Sequence, residues 1–313
     1  MRLPKLIIKA AILAFALSST LLAQEPSPPT PKPAGPTVQL SLIVTDSKNK
    51  SLNTISKEDI RLVEDKVEQT VLNLDPDVRP VDLGLVIDAS GSMRTLTESM
   101  LEAARLVVVN RRPVDEIFIE RFVSTEKIQR LQDFTKDEAV LTNAIQSIFV
   151  EGGQSAVIDA VYTGAHYVAE HNRKADRRKA LVLFTDGEDR LSTYKLEKLL
   201  SLLHKEKVQV FVIGLTLDLD EKAASNRLSP RDKAEKLLTT IADETGGRVF
   251  FPKTRTELVD SIMQIVHDLR GQFRLTYQSS NGEKKGFRNV EVKLNSPGGQ
   301  KLKAIVPRGY EAQ

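Results

Sequence analysis

The 313-residue chain contains no cysteine. That absence excludes disulfides, thiol nucleophiles, iron–sulfur clusters and cysteine-ligated zinc. It does not by itself name a compartment, although it suits export, since such a chain cannot be mis-oxidised. An excess of one charge is lacking too. Against 45 Lys and Arg stand 42 Asp and Glu, which leaves +3. The basic residues are spread along the chain, as in Arg111-Arg112 and Arg177-Arg178-Lys179. Nothing here makes an electrostatic case for a nucleic-acid partner. Histidine is scarce, and His166, His171, His204 and His267 all fall on predicted helices. No two have the i, i+4 spacing of a helical zinc pair. They read as surface or internally satisfied helix residues. The nucleophile elbow Gly-x-Ser-x-Gly is missing, and no Gly-Lys-Ser/Thr follows Gly152-Gly153 to make a phosphate loop. The chain is therefore not expected to be an enzyme.

The first segment carries the targeting information. Arg2, Lys5 and Lys9 form a positive start, Ala10 to Ala23 is almost wholly apolar or small, and Gln24-Glu25-Pro26 ends the run. This is the layout of a secretory signal peptide over residues 1–23, cleaved after Ala23. An uncleaved anchor is the alternative, but the run falls short of the ~20 apolar residues of a comfortable span. A lipoprotein signal is excluded by the missing cysteine. No later stretch is apolar enough to cross a bilayer, so the mature chain is expected to be exported, periplasmic or secreted, with no membrane span. Residues 24–36 follow as a Pro-rich linker, which stays extended and does not pack.

Alternating apolar residues Val38, Leu40, Leu42 and Val44 mark a strand. Two short strands follow near 60–64 and 69–74, joined by a hairpin turn at Asp65-Lys66. From Leu83 the pattern changes. Short continuous apolar runs, as expected of strands buried on both faces, alternate with helical patterns. Strands are predicted at 83–87, 117–123, 128–134, 180–184, 208–213 and 248–251. Helices are predicted at 94–109, 137–149, 156–172, 193–205, 231–245 and 255–270. The third strand follows the second too closely for a crossover helix and should run antiparallel to it. The alternation implies an α/β fold: a mostly parallel six-stranded sheet with helices on both faces. Three more short strands are predicted near 273–277, 289–294 and 302–306. Neither end has enough strands to bury a core alone. The expected domains are therefore N-terminal strands at 37–80, an α/β domain at 81–270 and C-terminal strands at 271–313. The two outer segments pack together as a small β-sandwich; two separate β appendages are the alternative.

Chemistry concentrates at strand ends. Asp88-Ala89-Ser90-Gly91-Ser92 follows the first buried strand directly. Asp-x-Ser-x-Ser alone is a weak pattern, and an N-cap cluster is the bland reading. Its position gives it weight, because ligands of open α/β sheets bind at the carboxyl ends of strands. Two other loops belong to the same edge. Gly152-Gly153-Gln154-Ser155 offers a hydroxyl before a helix, and Thr185-Asp186-Gly187-Glu188-Asp189 closes the fourth strand. Asp186 would lie beside Asp88 if the two strands are neighbours. Two carboxylates and three hydroxyls make an all-oxygen set suited to a small hard cation such as Mg²⁺. Without a cation the two carboxylates would repel. Protein oxygens alone do not fill the shell, so one position stays exchangeable.

These motifs resemble the von Willebrand factor A family with its metal-ion-dependent adhesion site (MIDAS). Asp88, Ser90 and Ser92 match its first motif, Ser155 its threonine position and Asp186 its last aspartate. The likeness covers about residues 81–270. It implies a doubly wound sheet of order 3-2-1-4-5-6 with strand 3 antiparallel. It also implies that Asp88, Ser90, Ser92, Ser155 and Asp186 hold Mg²⁺ (Mn²⁺ or Ca²⁺ being alternatives), with the open position filled by an Asp or Glu of a protein partner. Arg94, Gln154 and Glu188 would form the partner-binding rim. A narrower resemblance to exported bacterial proteins of this kind rests on Val44-Thr45-Asp46, Val63-Glu64-Asp65, Ala242 to Phe251 and Arg308-Gly309-Tyr310. There are two departures. Ser155 keeps the hydroxyl but loses the methyl that stiffens its rotamer, and Glu120-Arg121 puts charges into an internal strand, where partners under the helices are expected. The chain thus reads as a metal-dependent protein-binding module of the bacterial envelope or exterior; an assembly scaffold whose metal is only structural is the alternative.

Overall fold

The computed structural model describes residues 35–220, 222, 228–282, 285–295 and 301–312. The signal-peptide reading, the linker as far as Ala34 and the turn at Ser296 to Gly299 lie outside the described residues. Five strands come first: β1 (Thr37–Thr45), β2 (Ser51–Leu52), β3 (Ile60–Glu64), β4 (Val67–Gln69) and β5 (Val71–Pro76). Next come β6 (Val81–Asp88), α1 (Thr97–Val109), β7 (Glu116–Phe122), β8 (Ile128–Thr135), α2 (Glu138–Gln146) and α3 (Val157–Glu170). They are followed by β9 (Arg178–Thr185), α4 (Leu196–Glu206), β10 (Val208–Gly214), α5 (Pro230–Thr245), β11 (Val249–Phe250) and α6 (Arg255–Arg270). Four strands close the chain: β12 (Phe273–Gln278), β13 (Gly286–Leu294), β14 (Lys303–Ile305) and β15 (Gly309–Ala312).

The central sheet runs β11-β10-β9-β6-β7-β8, with β8 antiparallel to β7 and the other pairs parallel. Strand alternation sends its apolar residues to two faces. Leu83, Leu85 and Ile87 of β6 pack with Met100, Ala104 and Val107 of α1 and with Ile262 and Ile265 of α6. Val86 of β6 packs on the other face with Val157, Val161 and Val168 of α3 and with Leu238 of α5. Leu85, Val86 and Ile87 are wholly buried, and each such side chain contributes roughly 1.5–3 kcal/mol of transfer free energy. Gly84 is required by close approach, since a Cβ there would stand 2.3 Å from the Phe118 ring.

The charges of Glu120 and Arg121 are met along the sheet and in a loop, not under the helices as expected. Arg130 of β8 lies 3.6 Å from Glu120, and Arg121 reaches Glu151 at 3.2 Å and Gln129 at 3.1 Å. Glu120 lies under α3 at Gly164, which offers it no cation, so the cross-strand neighbour supplies the partner. The predicted strand over 69–74 is two strands. Its first part, β4, pairs with β3, and its second, β5, pairs with β12. Helix α1 also starts later than predicted, because Gly91–Thr95 forms a 3-10 turn.

Strands from both ends of the described chain make two small sheets. One has the order β14-β1-β12-β5, with β2 also on β1; the other has the order β15-β13-β3-β4. Leu40 and Leu42 of β1, Leu62 of β3, Leu275 and Tyr277 of β12 and Tyr310 of β15 share one apolar cluster. A carboxylate sits in it. Glu64 is buried and accepts hydrogen bonds from Tyr277 (2.6 Å), Ser279 (2.6 Å), Asn281 (2.8 Å) and Tyr310 (3.0 Å). Burial alone pushes this carboxyl up, but the four donors outweigh it and hold the group below its usual value. Its stabilisation is therefore present at neutral pH and lost as pH falls through the acid range. Glu64→Ala takes the carboxylate acceptor from four donors and should lower the folding free energy by roughly 3 kcal/mol in urea denaturation at neutral pH. A change below about 0.5 kcal/mol, the level of an ordinary surface substitution, would contradict this role.

Candidate metal centre

The chain leaves β6 to build β7 and β8 on one side, then returns to build β9, β10 and β11 on the other. The gap between the carboxyl ends of β6 and β9 is thus a topological switch point, where open α/β sheets bind ligands. Register sets the facing pair. Ile87 lies opposite Phe184, so Asp88 ends β6 beside Thr185, and Asp186 is one step further. Asp88 is wholly buried and Asp186 is 2% exposed.

Three loops close on these carboxylates. Ser90 caps Asp88 with a backbone N–H to Oδ1 at 2.9 Å, and its hydroxyl lies 3.1 Å from that of Ser92. Ser92 in turn hydrogen-bonds Asp186. Ser155 donates its hydroxyl to Asp88 Oδ2 at 3.1 Å. The Ser155 loop is delivered by backbone bonds from Gly91 N–H to the Gly153 carbonyl (3.3 Å) and from Ala156 N–H to that of Val123 (3.0 Å). Gly152 and Gly153 there have φ of +94° and +104°, a region open to glycine at little cost. All five predicted ligands therefore meet. Of the predicted rim, Arg94 and Gln154 are exposed, and Glu188 is half-buried and paired with Arg190 at 2.6 Å.

Two contributors escaped the sequence reading. Thr185 donates its hydroxyl to Asp88 Oδ2 at 2.6 Å and accepts from Gly187 N–H at 3.0 Å. It is the last residue of β9, where the sequence pattern places it in the loop. Its polar side chain at that position was the available signal. Asp159 is buried in α3 and gathers Thr125 Oγ1 (2.5 Å) with the backbone N–H groups of Thr193 and Tyr194 (2.8 Å each), fixing the loop after Glu188. Sequence offered no sign of that clamp.

The donor set fits a divalent cation. Asp186 Oδ2 is buried and has no hydrogen-bond partner among the described residues. The side chains that meet there, Asp88, Ser90, Ser92, Ser155 and Asp186, offer only oxygen, as hard cations require. Burial, and then the charge of Asp186, push the Asp88 carboxyl from 3.8 up to about 6. Burial also raises Asp186. A cation held by these residues would offset both costs with its charge. A second candidate group, Asp82, Glu116 and His171, has ligand atoms within 4.8 Å of one another. It lies at the opposite end of the sheet and is already neutralised by Arg177, 2.6 Å from Asp82, and Lys136, 3.4 Å from Glu116.

Fold and site together define a doubly wound α/β binding domain with an oxygen-lined cation centre at its switch point. The family model of the von Willebrand factor type A domain matches residues 82–264, and the chain belongs to that family. No curated protein sequence matches it. Among solved structures, a von Willebrand factor type A protein from Catenulispora acidiphila is similar at 13% identity and a TM-score of 0.49, covering 88% of this chain and 74% of that one. An aerotolerance-related membrane protein from Bacteroides fragilis is similar at 18% identity and a TM-score of 0.46, covering 60% and 98%. Proximal thread matrix protein 1 from the mussel byssus, solved with a zinc-occupied MIDAS motif, is similar at 19% identity and a TM-score of 0.49, covering 64% and 49%.

The raised Asp88 carboxyl has a measurable consequence in metal-free protein. The folded chain keeps a proton that the unfolded chain has released, so stability falls as pH rises from about 4 to about 6. That shift is worth roughly 3 kcal/mol. Asp88→Asn should remove this part of the slope and leave the variant at least as stable as the parent at neutral pH in EDTA, read as Tm against pH. Identical slopes for parent and variant would sink the assignment.

Proposed function

We propose that the protein is a metal-dependent protein-binding module of the bacterial envelope or exterior, exported to the periplasm or beyond. The supporting observation is the orphaned, buried Asp186 Oδ2 facing Asp88 at the open switch point. Asp88, Ser90, Ser92, Ser155 and Asp186 would hold Mg²⁺, with Mn²⁺ or Ca²⁺ as substitutes. The ion supplies positive charge and an exchangeable oxygen position, which suits an Asp or Glu side chain of a partner protein. Thr185 holds Asp88 from below. Arg94, Gln154 and Glu188 surround the opening and set which acidic partner fits. Binding is favoured over catalysis because the four histidines lie on or at the ends of helices α3, α4 and α6, none beside Ser90 or Ser92. Among the described residues no helix is long and apolar enough to cross a membrane.

The same reading takes residues 81–270 as the binding domain, carried between 37–80 and 271–313. Those outer segments share the Glu64 network and the cluster around Tyr277, and we read their two sheets as one β-sandwich.

Pull-down from cell envelope extracts tests this. Capture should require Mg²⁺ and be lost with EDTA or in Asp186→Ala, while circular dichroism of the variant stays that of the parent. If Mg²⁺ raises Tm yet captured proteins are the same with and without it, the chain is an assembly scaffold with a structural metal.

A further inference from the structure

The basic residues that look scattered in sequence converge at the amino ends of β9 and β10, about 23 Å along β9 from the metal centre. There a cleft of 260 Å³ opens between the central sheet and the terminal strands. Arg79, Arg173, Arg177, Arg178, Lys179 and Lys207 line it, and Glu206 is its one lining carboxylate. Its other wall comes from Gln39 and Ser41 of β1 and from Pro307, Gly309 and Tyr310.

Four of the six cations have a close carboxylate partner. Arg79 binds Asp77 and Asp176 at 2.6 and 3.0 Å, Arg173 binds Glu170, Arg177 binds Asp82 at 2.6 Å, and Lys179 lies 3.6 Å from Glu206. Arg178 is 7% exposed; it lies 3.9 Å from Asp77 and donates to the Leu269 carbonyl, while its Nε has no hydrogen-bond partner. Lys207 has no carboxylate partner among the described residues. It ends α4 in the left-handed conformation, with φ +54°. Loss of water contact, then the charges of Arg79 and Lys179, lower its ammonium below the usual lysine value. Carboxylate partners offset part of the cleft's positive charge from behind, but Glu206 alone of them lines the cleft, so an anion beside Lys207 would gain Coulomb energy. Arginine forks match tetrahedral oxyanions in pairs of hydrogen bonds. The volume lies below that of most drug-sized sites, which limits the ligand to a small one.

We infer that this cleft binds a compact polyanion carrying phosphate oxyanions, held between the α/β domain and the terminal strands. The phosphate belongs either to a soluble small molecule or to a lipid headgroup. The site is independent of the metal centre, so its test is run in EDTA.

Calorimetric titration of the full chain with pyrophosphate, at a fixed ionic strength of about 0.15 M, should show one saturable site. Affinity should fall at least tenfold in Lys207→Asn, where asparagine tolerates the left-handed backbone, and again in Arg173→Ala. Non-saturable uptake, or equal affinity in parent and both variants, overturns the proposal. Vesicles of phosphatidylglycerol in phosphatidylcholine separate the two sources. Lys207-dependent sedimentation displaced by pyrophosphate assigns the ligand to a lipid headgroup. No sedimentation alongside intact pyrophosphate binding assigns it to a soluble phosphate compound.

Discussion

Two carboxylates that water would keep apart are held together in a buried crevice. Asp88 is wholly buried and Asp186 nearly so; burial raises both carboxyls, and the charge of Asp186 raises Asp88 further. Much of the surrounding structure serves to make that placement tolerable. The parallel pairing of β6 with β9 fixes the separation, and the loops of Ser90, Ser155 and Thr185 supply hydroxyls to it. What those hydroxyls leave undone is one carboxylate oxygen without a partner. An all-oxygen pocket with an unmet negative charge at a strand-end opening is the physical basis for reading this domain as a cation-dependent binder.

The rigidity that this requires comes from both faces of the sheet. Alternate residues of β6 enter separate apolar clusters, so the strand that carries Asp88 has no soft side. The terminal strands add a brace. Arg248 bonds Asp268 of α6 at 2.9 Å and the Asn49 carbonyl at 2.8 Å, tying the loop after β1 to the last helix. Gln272 bonds Gln209 at 2.8 Å, joining the start of the closing strands to β10. Buried polar links of this kind fix relative position more than they add net stability.

The central α/β pattern was legible because its strands are short continuous apolar runs separated by helix-length periodic segments. Asp88, Ser90, Ser92 and Asp186 were legible because their loops follow such runs directly, as Asp88 follows Ile87 and Asp186 follows Thr185; Ser155 was legible from the Gly152-Gly153 turn before a helix and from the family resemblance. Contacts between residues far apart in the chain were not. Thr185 looked like loop, although its hydroxyl meets Asp88 across ninety-seven positions. Arg121 looked misplaced, although Glu151 waits for it in a loop that no strand periodicity announces. The division of 69–74 between two sheets was invisible too, because alternation reports which face a residue takes and not which strand it pairs with. The cationic cleft was hidden for the same reason: Arg79, Arg173 and Lys207 are distant in sequence and meet only when the fold is complete.

The most direct measurement is anomalous scattering from crystals grown with Mn²⁺ as a stand-in for Mg²⁺. The account predicts one strong peak bounded by Asp88, Ser90, Ser92, Ser155 and Asp186. No peak there, or a peak only among Asp82, Glu116 and His171, would contradict it.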